Sequence, residues 1–432
     1  MKIHSVNDAP SFSQSRQQSL FAEKYRRLIR GLGRGRIEWS LILACLLLSI
    51  IGIFFIYSAQ LWSARAAPEA IPLWFKQVLW LVLGFSAYSI IASIDYKLWF
   101  ENAHLVYAVS IILLLLLETP LGQTRYDARR WLDLKVFFFQ PSEVAKIGVL
   151  IMTASILARS EIGAMDVSRI ALLKVAIVTL VPMVLIFRQP DLGSTLIFPP
   201  VVLALLYAAK LAKNFFIATF LVLFLIISVL VWDSFEYQRF LKENDLSALE
   251  GRGKYEPHSW LPLRDYQRNR ILAFMAPELI DPQGTNETWN LRQSLISVGS
   301  GGLYGKGWRQ GTQARLGYLP QSVAHNDFIF SVLAEEKGFL ASMFVLGLYT
   351  LIIGNGIRIA GIARDRFGML LALGVSVIFM VHVFVNIGMT IGLMPITGLP
   401  LPFLSHGGSF LLSCCILQGL VQSVYRFRKD FS

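Results

Sequence analysis

The stretch LILACLLLSIIGIFFIYS, residues 41–58, contains no charged residue. As a helix it is nearly long enough to cross a hydrocarbon core of roughly 30 Å, which requires about 20 residues. Comparable apolar blocks follow along the chain at 77–94, 103–117, 144–158, 169–187, 192–209, 214–232, 338–356, 368–391 and 408–424. The pattern predicts an all-α integral membrane protein with about ten transmembrane helices.

Composition supports this class. Of the 432 residues, 55% are hydrophobic and only 16% are charged, whereas soluble domains carry about 25% charged residues. The net charge of +12 does not indicate a nucleic-acid partner, because no basic stripe interleaved with aromatic residues is present. The three cysteines all lie inside apolar blocks. They therefore predict neither a disulfide framework nor a metal site.

The distribution of basic residues predicts the topology. Lys and Arg cluster before the first apolar block, in alternate short loops and after the last block, and such clusters mark cytoplasmic segments. We therefore expect residues 1–36 to form a basic cytoplasmic tail, residues 37–428 to form the transmembrane domain, and both termini to be cytoplasmic. The longest hydrophilic stretch, 233–327, would then be a large extracytoplasmic loop between helices 7 and 8. Its aromatic residues indicate an ordered element on the membrane surface, or simple interfacial anchors.

Asp327, in the segment AHNDFIF, precedes an apolar stretch on the predicted outer face. A carboxylate partly withdrawn from water has a raised proton affinity, which suits a general base. The alternative interpretation is a helix N-cap, since Asp is common immediately before an apolar helix. The position alone leaves both open.

Charged pairs at the predicted membrane boundary are further candidates. Glu143 and Lys146 are three residues apart and would share one helix face, either as a structural ion pair or as the wall of a charged cavity. Arg188 and Asp191 flank a short turn that Pro190 would support, and this turn is a solvated hairpin tip in the simpler interpretation. Glu335 and Glu336 could form a cation site or a solvated kink before a glycine.

Cations on the same predicted face could hold phosphate oxygens, for which Arg is suited by its bidentate geometry. They could equally neutralise lipid headgroups without specificity. Lys306 stands among glycines that allow close backbone approach to a ligand. The candidate cations are Arg129, Arg130, Arg268, Arg270 and Lys306.

In these segments the chain resembles the shape, elongation, division and sporulation (SEDS) family, over about residues 37–428. The resemblance rests on several motifs in the same order. They are RRWLDL, FQPSEVAKI, QPDLGST, YQRNR, GSGGLYGKGW with GTQ, HNDFIFSVLAEEKG, NIGM and GLPLPFLSHGGS.

The resemblance implies a ten-helix fold in the bacterial inner membrane and a glycosyltransferase that polymerises lipid II into glycan strands. It implies a class B penicillin-binding protein as partner and a divalent cation, Mg or Mn, as cofactor. Its essential carboxylate corresponds to Asp327, and its conserved charges correspond to Arg130, Glu143 and Lys146. We add Arg268 and Lys306 as candidate substrate contacts from their charge and predicted face.

Within the family, GKGW followed by GTQ resembles the RodA (elongation) type more than the FtsW (division) type. Two positions depart from the family pattern: Asn326 stands where Thr is usual, and His406 where Tyr is usual. The alternatives from the sequence are an FtsW-type division polymerase, a lipid II flippase or other transporter, and a scaffold for a transpeptidase.

Overall fold

The computed structural model describes residues 36–60, 71–125, 128–133, 138–189, 191–246, 251, 253–255, 263–281, 283–286 and 288–428. Except for Arg36, the predicted tail 1–36 lies outside the described residues, as does Pro190. The first eight helices are α1 (Trp39–Gln60), α2 (Leu73–Ser93), α3 (Lys97–Glu101), α4 (Ala103–Leu116), α5 (Pro141–Arg159), α6 (Met165–Arg188), α7 (Leu192–Ala208) and α8 (Lys213–Glu243). The remaining eight are α9 (Asp265–Met275), α10 (Pro277–Ile280), α11 (Trp289–Ser300), α12 (Thr312–Arg315), α13 (Gln321–Ala324), α14 (Ile329–Gly361), α15 (Arg366–Thr390) and α16 (Gly408–Arg426).

Each predicted span coincides with one of these helices. In the described chain, α1, α2, α5, α6, α8, α14, α15 and α16 are long and apolar enough to cross a membrane, and α4 and α7 are shorter apolar helices. The all-α membrane class is therefore confirmed, while ten crossings remain a prediction. The exact boundaries differ most at α8, which continues eleven residues beyond the predicted end at 232 because its last turns leave the apolar block as an amphipathic extension.

The least hydropathic spans form the centre of the bundle. In α5 and α16 the best 18-residue window has a hydropathy of 1.4 and is 83% buried, whereas in α8 it has a hydropathy of 2.9 and none of it is buried. Helices that face lipid need apolar side chains, whereas helices that face other helices use small and polar residues. Gly148 of α5 illustrates this, since a Cβ there would lie 2.5 Å from Ser110 Oγ of α4.

A small antiparallel sheet lies between α4 and α5, where the sequence predicted only a loop. Its strands are β1 (Gly122–Arg125), β2 (Ala128–Asp133) and β3 (Phe138–Phe139), in that order. Leu132 on β2 pairs with Gly122 on β1 and with Phe139 on β3. The sheet fixes β2 over the end of the bundle, next to the turn between α6 and α7.

The predicted loop 233–327 is largely helical where it is described. Its helix α11 is not a surface element, because it packs against α14 and α15. The fully buried Ser294 Oγ lies 2.6 Å from Ser331 Oγ and donates to the carbonyl of Thr390. Trp260 lies outside the described residues.

Helix α14 is broken at Gly338, where φ is 72°. Residues 301–307 of the GSGGLYGKGW segment pair with the backbone on both sides of the break, and we call this segment the clasp. The carbonyls of Glu335 and Glu336 accept from the N–H groups of Lys306 and Gly307, and the N–H groups of Phe339 and Leu340 donate to Gly302 and Leu303. The backbone groups freed by the break are thus re-paired, as a low-dielectric environment demands. The predicted kink is confirmed, but it is not solvated, because Glu335 and Glu336 are buried.

The clasp predicts that Gly305 is irreplaceable. Its φ is +79°, and a Cβ there would lie 2.3 Å from backbone atoms of Glu336. We expect Gly305→Val to lower the free energy of unfolding by about 3 kcal/mol or more, from strain and overpacking. Thermal unfolding in detergent measures this.

Gly347→Ala is the matched control for this substitution. Gly347 lies in the same helix with nothing within 4 Å of an added Cβ, and Ala is the better helix former by about 1 kcal/mol. An equal melting temperature for Gly305→Val and wild type would contradict the clasp.

Candidate functional site

The backbone that carries Asp327 is held by three consecutive hydrogen bonds. The carbonyl of His325 accepts from the N–H of His406, that of Asn326 from Ser405 Oγ, and that of Asp327 from Asn386 Nδ2 at 2.8 Å. The donors come from the GLPLPFLSHGGS segment and from α15. Asp327 is therefore fixed in orientation by contacts more than fifty residues away along the chain.

The Asp327 carboxylate itself accepts no hydrogen bond from any described residue. Helix α14 begins after it with Phe328 as N-cap and no side-chain capping bond, so the N-cap interpretation is wrong. The carboxylate is half-buried, and its Oδ2 lies beside the exposed Gly398. Burial raises the pKa of Asp327 to about 6, against the opposing effect of Arg270 and Arg130, while Asp191 adds to the rise.

Of the two neighbouring arginines on β2, Arg130 lies towards this site and Arg129 does not. Successive side chains of a strand point to opposite faces. Arg129 turns back onto its own hairpin, where its guanidinium donates to the carbonyls of Gly122 and Thr119. Arg130 faces the other way, donates through Nε to the carbonyl of Gln189 at 3.2 Å, and acts on the pKa of Asp327.

Arg268 and Arg270 of α9 also differ in their surroundings, because residues two apart lie on opposite faces of a helix. Arg268 is 1% exposed, and its Nε lies 2.7 Å from Asp233 Oδ2. Its guanidinium also contacts Asp265. Arg268 therefore ties α8 to α9 and is not presented to a ligand, which corrects its assignment as a substrate contact. Arg270 is the arginine of this segment that reaches Asp327 electrostatically.

The turn between α6 and α7 also belongs to the site. Asp191 is 6% exposed, so the turn is not a solvated tip. Its carboxylate caps α7 by accepting from Ser194 N, and it also accepts from Ser194 Oγ and Gln140 Nε2. Asp191 is thereby held at a fixed position within electrostatic range of the Asp327 carboxylate. No interaction of Arg188 with the site is found in the described chain.

Glu143 and Lys146 form a buried pair beneath the site. Lys146 Nζ lies 2.8 Å from Glu143 Oε2 and 3.3 Å from His382 Nε2, and Ser413 Oγ donates to Glu143. Because an ammonium group only donates, His382 Nε2 must accept, and its Nδ1–H then donates to the carbonyl of Pro400 at 3.0 Å. The pair therefore supports the segment that carries Gly398 from below. Both side chains are almost fully buried, as a structural ion pair would be.

Lys306 acts on the clasp. Its Nζ lies 2.6 Å from Glu335 Oε1 and donates to Thr312 Oγ1. Glu335 also accepts from the N–H groups of Thr312 and Gln313. Glu336 accepts from Ser58 Oγ on α1. The side chain of Lys306 is 28% exposed, and its ammonium group holds the GTQ segment to α14.

Two functional residues were not recognised as such from the sequence. Asn386 and His382 lie one turn apart on α15, and they hold the carbonyls of Leu399 and Pro400. The predicted span 368–391 contains them as polar residues in an apolar helix, and intramembrane polar residues mark functional sites. That signal was available in the sequence.

The two departures from the family pattern leave the backbone contacts intact. Asn326 and His406 engage through their main-chain carbonyl and N–H groups, so any residue type supplies them. The His406 ring packs edge-on against the His325 ring at 5.5 Å. Burial lowers the pKa of His406 to about 3, helped by the neighbouring His325 and Lys76, so this ring is neutral at neutral pH.

The family resemblance implies a divalent cation, for which the carboxylates of Asp327 and Asp191 are the candidate ligands at this site. In the part of the chain that the structure describes, no three His, Cys, Asp or Glu residues come together as a metal site. Asp327 and Asp191 are within electrostatic range of each other. Mg²⁺ is commonly held by one or two carboxylates together with substrate phosphates and water. The residues present fit a cation that arrives with a phosphorylated substrate.

A half-buried carboxylate with a raised pKa, within electrostatic range of two arginines at one end of a helical membrane bundle, defines a candidate membrane enzyme site. Sequence comparison assigns the chain more narrowly. A profile of the FtsW, RodA and SpoVE cell cycle proteins matches residues 38–430, and the chain belongs to this family.

Individual relatives agree with this assignment. The peptidoglycan glycosyltransferase MrdB of Escherichia coli K12 is 34% identical over 89% of this chain and 94% of its own length. The peptidoglycan glycosyltransferase RodA of Treponema pallidum is 33% identical over 90% of this chain and 97% of its own. A solved chain from a peptidoglycan synthase complex, described as coordinating polymerization and crosslinking, superposes with a TM-score of 0.70 at 27% identity, covering 91% of this chain and 99% of that chain.

The buried pair predicts a coupled stability effect. Glu143→Gln leaves the Lys146 ammonium uncompensated, so we expect a loss of about 3–5 kcal/mol in unfolding free energy. The double variant Glu143→Gln/Lys146→Met removes both charges, so we expect most of that loss to be recovered. Chemical or thermal unfolding of wild type, the single variant and the double variant measures the loss and its recovery.

A double variant no more stable than the single one would contradict the ion-pair assignment. Activity of the double variant then separates two roles of Lys146. A stable double variant without activity would restore Lys146 as a substrate contact, and a stable, active one would assign the pair to the fold.

Proposed function

We propose that this chain is a peptidoglycan glycosyltransferase that polymerises lipid II into glycan strands. The observation that carries the proposal is the Asp327 carboxylate, which is held rigidly through its backbone yet accepts no hydrogen bond from the described residues. It lies beside Arg130 and Arg270 and has a pKa raised to about 6. Relatives that are named peptidoglycan glycosyltransferases support the same activity.

Asp327 acts as the general base in this proposal. Its ionised carboxylate takes the proton of the acceptor sugar hydroxyl as the hydroxyl oxygen attacks the anomeric carbon of the donor sugar. The bond between that carbon and the lipid diphosphate breaks, and the electron pair leaves with the diphosphate. Because a diphosphate is stable as an anion, no acid catalyst is needed, in contrast to glycoside hydrolysis with its two carboxylates.

Arg130 and Arg270 hold the diphosphate of the donor. Guanidinium groups bind phosphate oxygens bidentately, and both cations lie within electrostatic reach of Asp327. Asp191 and Asp327 would hold a divalent cation, which would supply further neutralisation of the leaving group. Lys306 remains a candidate contact through its partly exposed side chain, and Lys146 supports the site from within the bundle.

The cellular assignment is elongation and rod-shape maintenance, with a class B penicillin-binding protein as the crosslinking partner. Relatives named MrdB and RodA support the elongation role, and the synthase complex among the structural relatives supports the coupling to crosslinking. We place both termini in the cytoplasm of a bacterial inner-membrane protein. The segments that carry Arg130, Asp191, Arg270 and Gly398 then lie with Asp327 on the outer face, where lipid II is polymerised. The alternative is the FtsW-type division polymerase, which differs in its partner.

The proposal is tested by polymerisation of labelled lipid II with purified wild type, Asp327→Asn and Asp166→Asn. We expect Asp327→Asn to lose at least about a hundredfold in rate, the size of a general-base contribution, while its melting temperature stays near that of the wild type. Asp166→Asn is the matched control, because Asp166 is exposed in the first turn of α6, and it should polymerise normally. Each protein is assayed with and without the transpeptidase partner.

Near-normal formation of glycan strands by Asp327→Asn would contradict the assignment of Asp327 as the general base. Failure of both the wild type and the variant to polymerise, together with lipid II crossing liposome bilayers, would favour a flippase.

A second prediction concerns pH. The base acts when ionised, so the rate should rise with pH through an apparent pKa near 6. Arg270 lowers the pKa of Asp327, so Arg270→Gln should move this ascending limb to higher pH, whereas Arg270→Lys keeps the charge and should move it less. A pH profile of kcat/KM for the three proteins gives the answer, and an unmoved limb in Arg270→Gln would contradict the electrostatic contact.

A further inference from the structure

A groove of about 450 Å³ opens between α4, α5 and α6, at the end of the bundle opposite Asp327. Helix α5 begins near the site, at Pro141, and ends at Arg159 beside the groove. Helix α6 begins at Met165 beside the groove and runs back towards the site. The groove wall is apolar, with Met152 and Ile156 from α5 and Ile177 and Val178 from α6.

The charged residues that line the groove are all cations. Arg159 and Lys174 line it together with His104 and two serines, and no carboxylate is among the lining residues. Arg159 is oriented, since its Nη2 donates to the carbonyl of Phe100 at 2.7 Å and its guanidinium lies over the Phe100 ring. Lys174 has no hydrogen bond or ion pair with any described residue, and it is exposed.

Lys174 lies well inside a membrane span. It is nine residues past the start of α6, which corresponds to a depth of roughly 13 Å along the helix axis. Side chains of a helix lean towards its N-terminus, so the Lys174 stem leans towards the end of the groove that holds Arg159. A charged group at such depth is expensive unless it is paired or reaches the interface. The position therefore calls for an anionic partner within the groove.

We propose that this groove binds an anionic glycerophospholipid of the surrounding bilayer, with its phosphate between Arg159 and Lys174 and an acyl chain along Met152, Ile156 and Ile177. The two cations, with no carboxylate among the lining residues, match a headgroup phosphate. The apolar wall matches a hydrocarbon chain. Basic pockets between transmembrane helices bind such lipids in this manner. The site does not depend on the proposed reaction, because it uses no residue near Asp327.

The experiment measures lipid retention by the purified full-length chain. Wild type, Lys174→Gln, Lys174→Arg and Lys213→Gln are equilibrated in detergent with equal amounts of phosphatidylglycerol and phosphatidylcholine of the same acyl chains. Bound lipid is counted by native mass spectrometry. Lys213→Gln is the matched control, because Lys213 is an exposed lysine at the start of α8 that does not line the groove.

We expect wild type, Lys174→Arg and Lys213→Gln to retain phosphatidylglycerol over phosphatidylcholine. In Lys174→Gln the preference should fall by on the order of tenfold, which corresponds to one charge-assisted hydrogen bond. Unchanged retention by Lys174→Gln would overturn the proposal, as would an equal loss in Lys213→Gln. A third arm adds undecaprenyl phosphate in equal amount, and its displacement of phosphatidylglycerol would overturn the choice of a bilayer phospholipid as occupant.

Discussion

Unpaired backbone groups are not tolerated where water is excluded, and this constraint governs both irregular regions of the bundle. At Gly338 the chain leaves α-helical geometry inside a long helix, and residues 301–307 supply the missing donors and acceptors. At 325–327 the chain is not helical, and three carbonyls find donors from Asn386, Ser405 and His406. Segments distant in sequence are thus brought together by hydrogen-bond satisfaction as well as by apolar contact. The glycine-rich and proline-rich motifs exist to make these close backbone approaches.

The same constraint explains how a reactive carboxylate is kept available. In the described part of the chain, the hydrogen bonds of Asp327 are made through its main chain, and the carboxylate beside Gly398 accepts none. A carboxylate with several donors would have a low pKa and would be a weak base. Burial raises its pKa, and the arginines limit the rise so that the group is still ionised at neutral pH. Availability and basicity come from the same arrangement.

The sequence predicted the helices well, because lipid exposure is a property of each segment alone and is visible in its hydropathy. It also predicted that the motif-bearing loops share one face, and the structure brings Arg130, Asp191, Gly398 and Arg270 around Asp327. The charge pattern alone could not choose between Arg129 and Arg130, because that choice depends on a strand which has weak local signals, and only the family resemblance selected Arg130. The charge pattern wrongly selected Arg268, because the helical phase that separates it from Arg270 depends on the boundary of α9. His382 and Asn386 were missed although they are polar residues in an apolar helix, and only the identity of their carbonyl partners leaves no mark in a sequence.

Helix α5 connects the two ends of the molecule. It carries Glu143 and Lys146 beneath the site and Arg159 at the groove, about 24 Å apart at 1.5 Å per residue. The site end carries the two arginines that we propose hold a diphosphate, whereas the groove end carries an oriented arginine and a lysine that has no hydrogen bond or ion pair with any described residue. Cytoplasmic leaflets are rich in anionic lipids and cytoplasmic loops are rich in basic residues. A groove that binds an anionic phospholipid, as we propose, is expected at the cytoplasmic end of α5, and this agrees with the expectation that Asp327 lies on the outer face.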